Sequence, residues 1–179
     1  MTQPSLETER LILREIIPED ENAFFEMDCD PEVHRFLGNQ PVKSKQQIRD
    51  VITFIRKQYL ENGIGRWAVI EKETNTFIGW CGLKYFTETI NKHIHIYDLG
   101  YRFAQKYWGK GYATEAAKAC IEHGFNKMDL KEIYAMTDSR NLNSNKVLKK
   151  LGFNFIEKFD YDGDESDWFK LSRVDWEKL

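Results

Sequence analysis

Cysteine and proline are scarce in this chain, at 3 and 4 residues in 179. Cys29, Cys81 and Cys120 are odd in number and carry no metal or redox spacing. That argues against a disulfide framework and for reduced thiols in a cytoplasmic protein. No apolar run approaches the roughly 18 residues of a membrane span. The opening MTQPSLETER lacks a signal-peptide core, so no membrane partner is expected. Neither charge dominates: 26 basic residues stand against 29 acidic ones, a formal charge of -3, so no nucleic-acid partner is expected. His34, His93, His95 and His123 show no ligand spacing, and no metal is expected. The phosphate-loop spacing G-x-x-x-x-G-K-[ST] is also missing, which disfavours a nucleotide hydrolase. No repeat, linker or low-complexity run divides the chain, and its length predicts a single domain over 1–179.

What is present centres on Ile94 to Phe125, read as a strand, a glycine-rich turn and a helix from Gly111. Ala113, Ala116, Ala117, Cys120, Ile121, Gly124 and Phe125 follow the spacing of one buried helix face. The small side chains on that face let the helix lie close against a sheet. Trp108-Gly109-Lys110-Gly111-Tyr112-Ala113 stands at its entrance. The two glycines permit backbone conformations closed to other residues. The first helix amides lack intrahelical acceptors and sit at the positive end of the macrodipole, which suits a phosphate or pyrophosphate.

Trp108 to Ala113 resembles the Q/R-x-x-G-x-G/A signature of the GNAT superfamily of N-acetyltransferases, with Trp108 at the Gln/Arg position. The longer strings TERLILR, YWGKGYATEA and NLNSNKVLKKLGF are similar to the branch containing the ribosomal-protein N-terminal acetyltransferases. The resemblance implies a mixed α/β GNAT fold. Its central twisted sheet would have about seven mostly antiparallel strands, splayed at strands 4 and 5, with about four flanking helices. It also implies acetyl-coenzyme A as cofactor, with the pyrophosphate on the loop amides and the pantetheine arm along the preceding strand. The implied cofactor-binding residues are Tyr101, Arg102, Phe103, Trp108, Gly109, Lys110, Gly111, Tyr112, Ala113, Asn141 and Ser144.

Read in order, residues 8–15 predict an opening strand and Pro18 to Met27 a helix, with Pro31 to Gln40 as turn and loop. Ser44 and Gln47 form a capping box, and Ile48, Val51, Ile52, Ile55 and Tyr59 make an apolar stripe that ends at Asn62-Gly63. Strands follow over 66–72, 76–86 and 94–103. In the last of these the apolar parity changes near Tyr97 to Asp98, which predicts a bulge between Tyr97 and Gly100. A strand over 131–137 and a helix from Asn141 to Leu151 come next. Strands over 154–161 and 167–174 close the chain as a hairpin about Asp162-Gly163.

Acetyl transfer needs oxyanion donors, a proton for the leaving thiolate and a neutral amine. Amides from Leu99 to Phe103 are candidate donors, or else simply ladder partners. In many GNAT members a tyrosine four residues after the Ser144 position protonates the thiolate, but Leu148 stands there. Ser144 is the implied substitute acid, or else it satisfies a first-turn amide. Asp98 is a candidate proton acceptor, or a carboxylate facing solvent. Glu115 faces away from the small-residue stripe and reads as structural. The acidic run Asp160 to Asp167 reads as a solvated hairpin that could attract a cationic acceptor. The expected function is acetyl transfer in a ternary complex to a primary amine, a protein N-terminus first and a small amine second. A non-catalytic coenzyme A sensor is the remaining alternative, and the chain is expected to be a monomer or homodimer.

Overall fold

The computed structural model describes residues 4–179, so the first three residues of the expected domain lie outside the described residues. One sheet of eight strands runs through it in the order β1-β2-β3-β4-β5-β6-β8-β7. The strands are β1 (Leu6–Glu7), β2 (Leu11–Glu15), β3 (Arg66–Glu71), β4 (Thr76–Phe86), β5 (Ile96–Phe103), β6 (Glu132–Asp138), β7 (Asn154–Tyr161) and β8 (Asp164–Ser172). The helices are α1 (Glu21–Asp28), α2 (Pro31–His34), α3 (Lys45–Asn62), α4 (Tyr112–Asn126), α5 (Leu142–Lys150) and α6 (Arg173–Trp176). Every strand pairing is antiparallel except β5 with β6.

The eighth strand arises because the opening strand is split. Thr8 and Arg10 turn the chain, with the Thr8 amide donating to the Leu11 carbonyl at 3.0 Å, and β1 folds back on β2. Two short helices replace expected irregular or extended segments. Asp30 caps α2 by accepting from the Glu32 amide at 2.9 Å, and Ser172 stops β8 early by capping α6 through the Asp175 amide. Each is a local polar side chain competing for backbone donors. The capping box at Ser44 and the left-handed Gly63 bound α3 as read from the sequence. Val51 departs from the stripe at 36% exposed, and the buried face is carried by Ile48, Ile52, Ile55 and Tyr59. The β7–β8 hairpin turns on Asp162 and Gly163, both at positive φ.

The expected bulge in β5 is absent. All eight residues of β5 pair with β4 in unbroken register, from Ile96 opposite Phe86 to Phe103 opposite Gly79. The parity changes because β5 is covered on both faces. Leu99 and Phe103 enter the core beneath α4, whereas Ile96 packs on the other face against Tyr134 and Trp168. The register shifts that do occur leave Ile78 in β4 and Ile156 in β7 without a partner residue. Alternate residues of β3 likewise divide the molecule: Trp67 and Val69 join the core under α4, Ala68 and Ile70 the core under α1 and α3.

Helix α4 lies as close to the sheet as its small residues allow. Ala116, Ala117 and Cys120 are fully buried, and a Cβ on Gly124 would come within 2.9 Å of Leu83. Replacing Ala117 by Leu should therefore overpack this contact and cost about 1–3 kcal/mol. Thermal unfolding would reveal the loss, and an unchanged midpoint would mean that the helix has slack.

Candidate active site

The site is made by a gap in the sheet. Parallel strands β5 and β6 share a single register pair, Asp98 with Tyr134, and beyond it β5 has no partner on that side. A cavity of about 570 Å³ opens there. Asp98, Leu99, Gly100 and Tyr101 of β5, with Asn141 just before α5 and Ser144 and Leu148 within it, are among its walls. The expected splay is thus present, between the strands anticipated.

On the β5 side, the floor is a buried ion pair. Arg66 Nη2 lies 2.6 Å from Asp98 Oδ2, with side-chain exposures of 12% and 5%. Its Nη1 also donates to the Asp98 carbonyl at 2.7 Å and to the Gly82 carbonyl. Arg66 leaves β3 and crosses two neighbouring strands in register at Gly82 and Gly100. A Cβ on Gly100 would stand 2.7 Å from its guanidinium, so bare backbone there provides the trough. The Trp80 ring lies 5.3 Å from Arg66 and 5.2 Å from Arg102. Arg102 in turn reaches Asp28 at 2.7 Å. Asp98 is therefore no solvent-facing carboxylate. Burial pushes its pKa up, and the Arg66 cation opposes the shift.

On the α5 side, Asn141 Oδ1 accepts from the Ser144 amide at 3.1 Å and so caps the helix. Ser144 Oγ lies 3.0 Å from the Tyr101 hydroxyl. Burial pushes the Tyr101 phenol up, so it stays protonated. Leu148 is 1% exposed, and no acid stands at that position.

The loop before α4 lies at the end of β5. Gly109 and Gly111 adopt φ of 73° and 82°, the left-handed region. Among the described residues no side chain caps α4, so its first amides have no side-chain acceptor. Trp108 donates its Nε1 hydrogen to the Phe103 carbonyl at 2.7 Å, tying the loop to β5. Lys110 and Lys106 flank the Tyr107 ring at 5.4 and 5.2 Å. Glu115 is structural: it accepts from Thr8 Oγ1 at 2.6 Å and from the Arg10 amide at 2.9 Å, and pairs with the Arg10 guanidinium at 2.7 Å. Arg10 also donates to the Lys110 carbonyl at 3.0 Å and lies over the Tyr112 ring. The Tyr112 hydroxyl is hydrogen-bonded to Glu71, so its side chain is committed to the scaffold.

A family model described as the acetyltransferase (GNAT) domain matches residues 10–154. This chain belongs to the GNAT acetyltransferase family. A Bacillus licheniformis protein described as the uncharacterized N-acetyltransferase p20 is 34% identical over 149 residues, covering 83% of this chain and 82% of its own. The spermidine N(1)-acetyltransferase of Escherichia coli K12 is 27% identical, over 79% of this chain and 72% of its own. In fold, the ribosomal-protein-S5-alanine acetyltransferase of Vibrio fischeri superposes with a TM-score of 0.75 at 22% identity, over 97% of this chain and 98% of that one.

The GNAT cavity thus gathers Asp98, Tyr101, Asn141 and Ser144, whereas Trp108 to Gly111 form the loop before α4 and Tyr112 and Ala113 its first turn, outside the cavity walls. Sequence reading missed Arg66, Trp80 and Tyr161 in the walls. The glycines at 82 and 100 were the available signal for Arg66, because a row of bare positions across adjacent strands admits a long side chain. Gly100→Ala should displace the guanidinium, leave Asp98 buried without its partner, and lower both turnover and melting temperature. Overpacking of this kind costs about 1–3 kcal/mol. Retained activity at an unchanged melting temperature would refute the trough.

Proposed function

We propose that this GNAT protein transfers the acetyl group of acetyl-coenzyme A directly to a primary amine, with a protein N-terminal α-amine as the leading acceptor. The observation that carries the reading is the unpartnered edge of β5 facing Ser144 across one cavity. The residues present fit the cofactor: uncapped helix amides behind two left-handed glycines suit a diphosphate, with Lys110 and Lys106 adding positive charge. Bound there, acetyl-coenzyme A would supply an activated thioester.

The chain's own groups then divide the work. Amides along Leu99 to Phe103 donate to the carbonyl oxygen as negative charge develops on it. Ser144, hydrogen-bonded to the protonated Tyr101, delivers a proton to the departing sulfur, and Tyr101 can replenish it. Asn141 holds the helix turn that aims Ser144. Asp98 accepts the amine proton directly or through water, its basicity raised by burial and limited by Arg66.

A site whose carboxylate is already paired with an arginine suits an amine that is already partly neutral. An α-amine with pKa near 8 is about a tenth neutral at pH 7, and a lysine amine near 10.4 only about once in several thousand. A small cationic amine is the second reading, favoured by the acidic hairpin beside the cavity and by the name of the Escherichia coli relative. Thiol release from acetyl-coenzyme A with a panel of amines separates both readings from a non-catalytic sensor.

Ser144→Ala is expected to lower kcat roughly 10²-fold, within the range for a lost general acid, while cofactor affinity stays within about twofold. Tyr101→Phe should lower kcat less. A Ser144→Ala enzyme with full turnover would remove the serine from the mechanism.

A further inference from the structure

The string Thr8 to Arg14, TERLILR, has a physical counterpart at the far side of the fold. The turn between β1 and β2 sets Arg10 against the start of α4, 100 positions along the chain at Lys110. Its guanidinium points two ways. Nε and Nη2 both reach Glu115 Oε2 at 2.7 Å, while Nη1 donates to the Lys110 carbonyl at 3.0 Å. Glu115 therefore answers the charge, and Arg10 is no candidate for gripping a phosphate as a cation.

What Arg10 holds is a peptide plane. In a trans peptide the carbonyl and the N–H that follows it point in opposite directions, and every peptide bond among the described residues is trans. With the Lys110 carbonyl turned to Arg10, the Gly111 N–H is turned away from it. The guanidinium is a planar fork, so its grip on Glu115 of α4 also fixes where the Lys110 peptide stands relative to that helix. The rest of the loop is fastened by Trp108 to the Phe103 carbonyl and by Tyr112 to Glu71 of β3. A Cβ on Gly111 would come within 3.5 Å of Arg10 Nη2, whereas one on Gly109 would meet nothing within 4 Å. The loop is thus backed by Arg10 at Gly111 and open at Gly109.

We propose that Arg10 is a positioning residue for the cofactor's diphosphate: by holding the Lys110 carbonyl, it aims the Gly111 amide to donate alongside the first amides of α4. This rests on the reading that the loop takes the diphosphate of acetyl-coenzyme A, and it gives Arg10 no contact with that group. Trp108, at the Gln/Arg position of the signature, turns its one side-chain donor to Phe103. The loop therefore depends on its backbone amides, and their direction is set from the other end of the sequence.

The test uses the full chain carrying Arg10→Lys. Lysine keeps a positive charge beside Glu115 but has no fork that serves the carboxylate and the carbonyl together. Calorimetry measures affinity for coenzyme A and for dephospho-coenzyme A, which retains the diphosphate and lacks the 3′-phosphate. Both should bind about three- to tenfold more weakly than to the unaltered protein, the range for one lost hydrogen bond. With acetyl-coenzyme A the KM should rise by the same factor while kcat stays within about twofold. With S-acetylpantetheine, a donor without the diphosphate, kcat/KM should not change. Arg10→Gln, which also leaves Glu115 unpaired, should lose more affinity. Thr8→Val loosens the same clasp without reaching Lys110, so it should lower the melting temperature and leave both affinities within about twofold. If the unaltered protein binds neither coenzyme A nor its dephospho form, the cofactor reading fails and the proposal with it. Full affinity in Arg10→Lys, a loss confined to coenzyme A, an equal loss with S-acetylpantetheine or an equal loss in Thr8→Val overturns the proposal and leaves that reading standing.

Discussion

Two parallel strands that meet at one residue pair set the terms for everything else in this protein. β5 is fully laddered to β4 on one side and nearly unpaired on the other. Backbone donors without partners are costly in a dry interior, so such an edge persists only if the surrounding structure holds it open and a ligand or water completes it. The splay is held open from both sides. α4 packs its small-residue face beneath β4 and β5, and α5 approaches from β6 with Leu148 buried at the cavity wall.

Charge is managed along the same line. The buried Arg66–Asp98 pair would be a poor source of stability on its own, because desolvation of two ions offsets their attraction. Its value lies in position. Arg66 fastens β3, β4 and β5 together through the Gly82 and Asp98 carbonyls, and it holds the Asp98 carboxylate at the cavity wall. Trp80 between Arg66 and Arg102 extends the chain of contacts to Asp28 on α1. The helical layer and the cavity floor are therefore linked by one continuous run of side-chain contacts.

Much of this was legible in the sequence where the cause was local. Ser44 with Gln47, Gly63, Asn141 and the Asp162-Gly163 turn announce element ends because capping and left-handed φ depend on a few adjacent residues. The GNAT signature placed the loop and α4 for the same reason. The β5 parity misled because both faces of that strand are covered, so alternation no longer reports which side is buried. Asp98 was recognised as a candidate, but its partner is 32 residues away, and nothing local says that its solvent face is closed. Helix α2, only four residues long, has too little periodicity to be read.

The clasp of Thr8 and Arg10 on Glu115 spans more than a hundred positions of chain, 107 for the Thr8 contact. Closing a segment of that length carries an entropy cost that grows only slowly with the number of residues enclosed. A chain lacking its first ten residues would keep Gly109 and Gly111 but lose the Thr8 and Arg10 contacts that brace Glu115 and the Lys110 carbonyl at the start of α4.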